Sequence, residues 1–399
     1  MKVLVINCGS SSLKYQLIDM TNESVVAKGY VQKIGAEDSF IEHKKQGGSL
    51  EIDNYTVADH KEAFEKVVEI LLEKDCAIKS LDEINAVGHR VVHGGEKFKT
   101  SVIIDQEVLE EIEACNDLAP LHNPANLIGI KAAMAVLTTI PMVAVFDTAF
   151  HQTMPKESYM YALPYEAYEK HKIRRYGFHG TSHKYIVQRL AEMNGKKVEE
   201  INAITCHLGN GGSLCAVKNG KSFDTTMGLT PLEGLMMGSR CGDIDPAIVT
   251  FLMEKENMNA SQISDYLNKK SGLVGVCGQS DLRDVVKGRV SGDEKSMLAF
   301  DMYCYRIRKY IGAYIAALEG KVDYIAFSGG VGERNYIVRE TILEGLTDMG
   351  IILDKEINTP IQDLNMKECP ITTKESKIEA WVILTDEELM IARETIELV

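Results

Sequence analysis

Three glycine-rich turns each follow an apolar run. They read Cys8-Gly9-Ser10-Ser11-Ser12, Leu208-Gly209-Asn210-Gly211-Gly212-Ser213 and Ser328-Gly329-Gly330-Val331-Gly332-Glu333. Glycine lets the backbone come close to an anion, and successive N–H groups form a nest for phosphate. One such turn is most often only a hairpin; three in one chain point to a nucleotide. None has the GxxxxGK[ST] pattern of a P-loop or the GxGxxG spacing of the dinucleotide fold. Lys14 stands two residues past the Ser10–Ser12 turn, within reach of a phosphate there, although solvation is the ordinary fate of a strand lysine. Asn7 ends the first apolar run and suits a Mg²⁺-bound water.

Arginines in apolar surroundings form a second group. Arg90 lies within AVGHRVVHGGE and Arg240 within GLMMGSRCGDIDP, while Asp147 ends the run VAVFD. A guanidinium in such a place is costly unless it meets an anion. Two readings stand side by side: a structural salt bridge of Arg90 with Asp147, or a guanidinium pair that clamps a carboxylate and a transferring phosphoryl group.

Histidines recur four apart, His89 with His93 and His179 with His183. A zinc pair needs that spacing on a helix. The first pair falls in a strand pattern and the second is interrupted by Gly180, so a metalloenzyme is the weaker reading. His179 and His207, each beside a glycine-rich turn, read better as donors to phosphate oxygens. Asp386-Glu387-Glu388-Leu389 opens the last helical pattern, where acidic residues suit the positive helix end; the alternative is that Glu387 or Glu388 positions Mg²⁺. Asp281–Arg283 reads either as a helix cap or as a contact to base and ribose.

These residues need elements to hold them. Val3–Ile6, Leu13–Ile18 and Val25–Lys33 read as strands, as do Ile84–Val92, Pro141–Phe146, Ala203–Leu208, Leu214–Lys218, Val322–Phe327 and Trp381–Leu384. Helical spacing marks Ala63–Glu73, Val108–Leu118, Lys184–Met193, Ala247–Lys255, Glu294–Leu318 and Glu387–Glu397. It also marks Pro124–Leu137, with Asn123 as its expected cap. The strand–turn–strand order of INAITCHLGNGGSLCAVKNG matches that of KVLVINCGSSSLKYQLID. That match suggests a duplicated β-first domain with a cleft between the copies, with chance likeness of two hairpins as the alternative.

Composition narrows the function class. A chain of 399 residues with 45% hydrophobic and 26% charged residues has core enough for two or three domains. A net charge of −14 without a Lys/Arg run argues against nucleic-acid and anionic-membrane partners. The nine cysteines form no CxxC pair, as expected of reduced thiols in the cytoplasm. No run approaches a membrane span or a signal-peptide core.

Taken in order, NCGSSSLK, GHRVVHGGE, APLHNPAN, VFDTAFH, RRYGFHGTSH, HLGNGGS, TPLEGLMMGSRCGDIDP, SDLRDV and TDEELMIARE resemble the motifs of the acetate kinase family. That family lies within the superfamily of acetate and sugar kinases, heat-shock chaperones and actin. The resemblance runs the whole length, and TPLEGLMMGSRCGDIDP is highly specific. It implies an α/β fold of two duplicated actin-like (ribonuclease H-like) domains with a central cleft. The first would cover 1–147 plus 385–399, and the second, nucleotide-binding and dimerising, 148–384. By the same resemblance Asn7 and Glu387 hold Mg²⁺, with Mn²⁺ as an alternative, and Ser10, Ser12 and Lys14 approach the phosphates of ATP or ADP. Arg90 binds the substrate carboxylate, Asp147 is the acid/base, and His179 and Arg240 stabilise the transferring phosphoryl. His207, Leu208, Gly209, Asn210 and Gly211 cradle phosphates; Asp281, Leu282 and Arg283, with Gly330, Val331, Gly332, Glu333 and Arg334, surround the nucleotide. Val92, Leu121, Phe178 and Pro231 form the acyl pocket, and His122 also binds the substrate. One departure stands out: the family's GIGEN reads GVGER here, so Arg334 replaces an asparagine and unsettles the expected nucleotide preference.

The expected reaction is ATP + acetate ⇌ ADP + acetyl phosphate by direct in-line transfer, in a homodimer. A carboxylate is already a nucleophile, so alignment and charge neutralisation matter more than base catalysis. Asp147 then reads as an orienter of the carboxylate site. Propionate or butyrate kinase is the near alternative, and a non-kinase actin-like ATPase the distant one.

Overall fold

The computed structural model describes residues 1–72, 77–120, 122–359 and 368–399, so Leu121 and Cys76 lie outside the described residues. These form two compact units, Met1–Gln152 with Asp386–Val399, and Thr153–Thr385.

In the first unit the strands are β1 (Lys2–Gly9), β2 (Ser12–Asp19), β3 (Ser24–Gln32), β4 (Phe40–Lys45), β5 (Glu51–Asn54), β6 (Ile84–Val91), β7 (Val102–Ile103) and β8 (Met142–Phe146). Among the described residues they make one mixed sheet in the order β5-β4-β3-β2-β1-β6-β8-β7. β1 runs parallel to β6, and β6 to β8; the β1–β2–β3 meander is antiparallel. The opening run is continuously apolar because both faces of β1 are covered. Leu4, Ile6 and Cys8 join one core with the helices His60–Leu72 and Asn123–Val136. Val3 and Val5 pack with Val143, Val145 and Ile391 on the other. Ile391 belongs to the C-terminal helix Glu387–Ile396, which returns across the sheet. It comes so close to β6 that a Cβ on Gly88 would lie 2.4 Å from Thr395 Oγ1 and 2.7 Å from Ile391.

The second unit repeats the plan. Its strands are β9 (Ala203–Leu208), β10 (Gly212–Lys218), β11 (Lys221–Thr225), β12 (Tyr324–Ser328), β13 (Cys369–Pro370) and β14 (Glu379–Val382), ordered β11-β10-β9-β12-β14-β13. The β9–β10–β11 meander is antiparallel, β9–β12–β14 is parallel, and β13 adds an antiparallel edge as β7 does in the first unit. The repeat suggested by two hairpins thus extends through six strands of each sheet. The long helix Glu294–Ala317 supplies Phe300, Tyr303, Ile307 and Ile311 to this core.

Three expectations change. Asn123 does not cap its helix: His122 holds the cap position, and the Asn123 amide instead bonds the His93 backbone and the Ile112 carbonyl. The third glycine-rich segment is a short helix, Gly329–Arg334, rather than a turn. The edge strands β7 and β13 were not expected, since two residues carry no readable alternation.

Candidate functional site

At the carboxyl ends of three parallel strands in the first unit, one sheet face turns from apolar to polar. Val3 and Val5 lead to Asn7, Gly88 leads to Arg90, and Val143 and Val145 lead to Asp147. Alternation of side chains puts each set on one face, and strand ends of this kind are where α/β sheets bind ligands. Arg90 Nε donates to both Asp147 oxygens at 3.1 Å, and Arg90 Nη2 donates to Oδ2 at 2.5 Å. The third nitrogen, Nη1, donates to Asn7 Oδ1 at 3.4 Å. Asp147 is buried and its own N–H is tied to Val91 O at 3.0 Å. Burial pulls the Arg90 guanidinium down, but the charges of Asp147 and Glu387 more than offset this and push it up. Asp147 therefore holds Arg90 charged and in one plane.

The C-terminal helix, which meets Gly88 through Ile391 and Thr395, has its first-turn Glu387 within electrostatic reach of this cluster. Asp386 caps that helix by accepting from Leu389 N–H at 2.9 Å. Next to it, burial pushes the Glu387 carboxyl up to about 7; Arg90 and Lys14 oppose the rise, while Asp147 and Glu388 add to it. Glu387 Oε1 is sealed from solvent without a hydrogen-bond partner. A buried carboxylate with an unused oxygen among other carboxylates suits a hard cation. Among the described residues no three His, Cys, Asp or Glu side chains are grouped to hold a metal unaided. That fits Mg²⁺, which takes one or two carboxylates and completes its shell with water and phosphate. Asn7, Lys14 and Glu388 line an adjoining pocket of about 260 Å³.

In the second unit the β9–β10 hairpin carries the other cluster. Its turn is closed by Gly209 N–H donating to Gly211 O at 2.9 Å, and Asn210 O accepts from Gly238 N–H at 3.1 Å. His207 faces Ser213 across the hairpin. His179 holds a left-handed backbone, φ 55°, as the cap residue of helix Gly180–Asn194, and its ring lies tilted against His207 with centroids 4.3 Å apart. Arg240 Nη1 donates to Pro231 O at 3.1 Å, and burial draws its guanidinium down. A Cβ on Gly211 would lie 3.4 Å from Arg240 Nη1 and 3.7 Å from His179 Nε2. Arginine, imidazole and hairpin backbone converge there.

Beside this cradle lies a pocket of about 600 Å³, whose lining includes Gly209, Asn210, Asp281, Arg283, Gly330 and Arg334. Arg283 forks onto Asp281, with Nη2 to Oδ2 at 2.6 Å, and this pairing brings the Asp281 carboxyl down to about 2. Asp281 also caps helix Leu282–Val290 through Arg283 N–H at 2.8 Å. The volume suits a nucleoside, and Leu273, Leu282 and Tyr303 add apolar wall to the charged groups.

A model of the Acetokinase family matches residues 2–393. The acetate kinase of Acetivibrio thermocellus is 56% identical over 401 aligned residues, spanning 100% of this chain and 99% of that protein. The crystal structure of Porphyromonas gingivalis acetate kinase matches with a TM-score of 0.95 at 49% identity, over 100% of this chain and 99% of that one. A propionate kinase from Francisella tularensis matches at 0.93 and 41% identity, over 100% of both chains. The chain belongs to the acetokinase family.

Not every residue singled out by resemblance to the acetokinase family faces these pockets. Val331 and Leu282 line the larger one. Leu208 is core, and Gly332 is packed against Phe327. Glu333 turns inward: its Oε1 accepts from Gly329 N–H and Thr385 N–H, both at 3.0 Å. Ser10 is exposed at the hairpin turn and Ser12 half-buried, and that turn is fastened by His60 Nε2 against Gly9 O at 2.8 Å. Val92 is buried in the first unit, with its N–H on Asn126 Oδ1 at 3.1 Å; His122 precedes the same helix. Phe178 is buried and Pro231 half-buried in the second unit. Sequence reasoning missed Asn126, whose amide ties β6 to Cys8 O at 2.9 Å. It also missed Arg175, which donates to Thr225 O and Glu233 Oε1, each at 2.7 Å, and so anchors the segment that carries Pro231 and Arg240. RRYGFHGTSH was the available signal for Arg175.

Proposed function

We propose that the protein transfers the terminal phosphoryl group of ATP to a carboxylate oxygen of acetate, giving ADP and acetyl phosphate, and catalyses the reverse. The observation that carries this reading is Arg90, a guanidinium fixed by Asp147 at a strand end, in a chain that matches an acetate kinase over its full length. An ATPase without a second substrate has no need of such a group.

Acetate oxygen attacks the terminal phosphorus as the bond to ADP opens. Arg90 pairs with the acetate carboxylate and removes its repulsion from the incoming phosphoryl group. Arg240 and His179 meet the equatorial oxygens, where charge must be neutralised in the transition state. Asp147 orients Arg90 rather than moving a proton. His207 to Gly211 hold the polyphosphate, and the pocket lined by Asp281, Arg283 and Arg334 takes the nucleoside. Asn7 and Glu387 would hold Mg²⁺, or Mn²⁺, which when bound supplies further neutralisation of phosphate charge.

Val92, Phe178 and Pro231 are the apolar groups proposed to meet the methyl of acetate. One methylene in such a pocket changes selectivity by about 1–3 kcal/mol. The 41% identity to a propionate kinase keeps propionate as a slower substrate. A kcat/KM series over acetate, propionate and butyrate tests this: acetate is expected to lead, and a maximum at propionate would reverse the order. The reading includes a cytoplasmic homodimer. Leu298, Met302 and Tyr305 expose one apolar face of the long helix, which suits a second copy of the chain. Among the described residues no helix is long and apolar enough to cross a membrane. Sedimentation at micromolar concentration is expected to give the dimer mass, and a monomer would refute it.

A further inference from the structure

Behind the His179 ring lies a chain of buried groups that the proposed chemistry leaves without a task. Thr205 Oγ1 is 2.7 Å from His183 Nδ1, His183 Nε2 is 2.8 Å from Ser213 Oγ, and Ser213 Oγ is 2.8 Å from His179 Nδ1. Thr205, His183 and Ser213 are fully buried. His179 and His183 lie one helical turn apart, so both rings reach the same side. Instead of sharing a metal, they share the Ser213 hydroxyl.

Each hydroxyl has one proton to give, and each neutral imidazole has one donor and one acceptor nitrogen. The chain can therefore run in two directions. In the first, Thr205 O–H donates to His183 Nδ1, His183 Nε2–H donates to Ser213 Oγ, and Ser213 O–H donates to His179 Nδ1. In the second, every proton points the other way, and Thr205 O–H must find another acceptor. Among the described residues Thr205 Oγ1 has no hydrogen bond besides that to His183. The second direction thus strands a buried donor, which carries its full desolvation penalty; the first leaves none.

We infer that Thr205, His183 and Ser213 are positioning residues that hold His179 as a neutral imidazole protonated on Nε2. That N–H then donates to an equatorial oxygen of the transferring phosphoryl group; this last step rests on the proposed function, whereas the tautomer does not. The charged and titratable groups facing His179 are the His207 ring at 4.3 Å, His183 beyond Ser213, and Arg240, which converges with His179 on Gly211. His179 further sits at the positive end of helix Gly180–Asn194, which disfavours imidazolium. The donor therefore persists at pH values above the imidazole range, where an imidazolium donor is lost.

The test is long-range ¹H–¹⁵N correlation spectroscopy on histidine-labelled protein, with His179 assigned by difference from His179→Gln. At pH 7.5 the wild type is expected to show a protonated Nε2 and an unprotonated Nδ1. Kinetics give the second readout. Ser213→Ala should lower kcat by about 10- to 100-fold, by analogy with groups that orient metal-bound imidazoles, with nucleotide KM little changed. It should also let the Nδ1-protonated tautomer of His179 appear beside the Nε2-protonated one at pH 7.5. Ser213→Thr should recover both the rate and the single tautomer. A wild-type His179 protonated on Nδ1 overturns the inference even if no variant folds. So does a Ser213→Ala protein with an unchanged tautomer and rate. Wild-type protein with the expected tautomer but no acetate-dependent transfer would overturn the donor role and the functional reading together, and leave the tautomer standing.

Discussion

Replacing Glu387 by glutamine should stabilise the metal-free protein while removing its response to magnesium. The Glu387 carboxyl is raised to about 7 from its ordinary 4.5, chiefly by burial. A rise of about 2.5 units corresponds to roughly 3 kcal/mol, at about 1.4 kcal/mol per unit. The folded value is the higher one, so the fold favours the protonated carboxyl. The destabilisation is absent below about pH 4.5, grows between 4.5 and 7, and is complete above 7. Glutamine imitates the protonated form. In EDTA at pH 8, Glu387→Gln should therefore melt several degrees above wild type, given roughly 2–4 °C per kcal/mol for a domain of 150–250 residues. At pH 4.5 the two should melt together. Mg²⁺ with ADP should raise the Tm of wild type at pH 8 far more than that of the variant, and the variant should lose most of its activity. Differential scanning fluorimetry across pH, with and without Mg²⁺ and ADP, reads all of this. A variant no more stable than wild type at pH 8, or an equal Mg²⁺ response in both, would refute the assignment of Glu387 as a strained carboxylate awaiting a cation.

Arg240→Ala should lose about 10²- to 10³-fold in kcat, the scale of one transition-state donor, with the Tm little changed because the side chain bonds only to Pro231 O and Met237 Sδ among the described residues. A rate within a few-fold of wild type removes Arg240 from the site. Asp147→Asn should free Arg90 from its fork, raise KM for acetate and lower kcat; full activity with an unchanged pH profile would leave Asp147 a structural role alone. Gly88→Ala should push the C-terminal helix off β6, since its Cβ would meet Thr395 and Ile391 within 2.7 Å. Activity and magnesium affinity should fall together, and a wild-type magnesium dependence would contradict the helix's part in placing Glu387. Arg334→Asn should change KM for ATP relative to GTP while leaving kcat near wild type; identical nucleotide ratios would take Arg334 out of recognition.

The fold class was legible because both sheets are built from strands buried on two faces, which read as unbroken apolar runs followed by glycine. Asn7 and Asp147 were legible for the same reason, each being the polar residue that ends such a run, and Arg90 stood out as a charge inside one. Contacts across great sequence distance were not. Nothing local to Gly88 announces a helix some 300 residues later that lies against it. His179 and His183 showed their four-residue spacing, but the hydroxyl between them comes from β10, so the pair read as a weak metal motif. Asn123 looked like a cap because a cap needs only a local side chain, whereas its actual bonds reach His93 and Ile112. Glu333 looked like part of a phosphate turn, yet its carboxylate closes the backbone between Gly329 and Thr385.

Transfer to a carboxylate is tested most directly by trapping the product with hydroxylamine. Purified protein with Mg²⁺-ATP should yield acetyl hydroxamate in proportion to ADP, only when acetate is present, and Arg90→Ala should abolish it. ADP release at the same rate with and without acetate, and no hydroxamate, would contradict the phosphotransferase reading and leave an ATPase in its place.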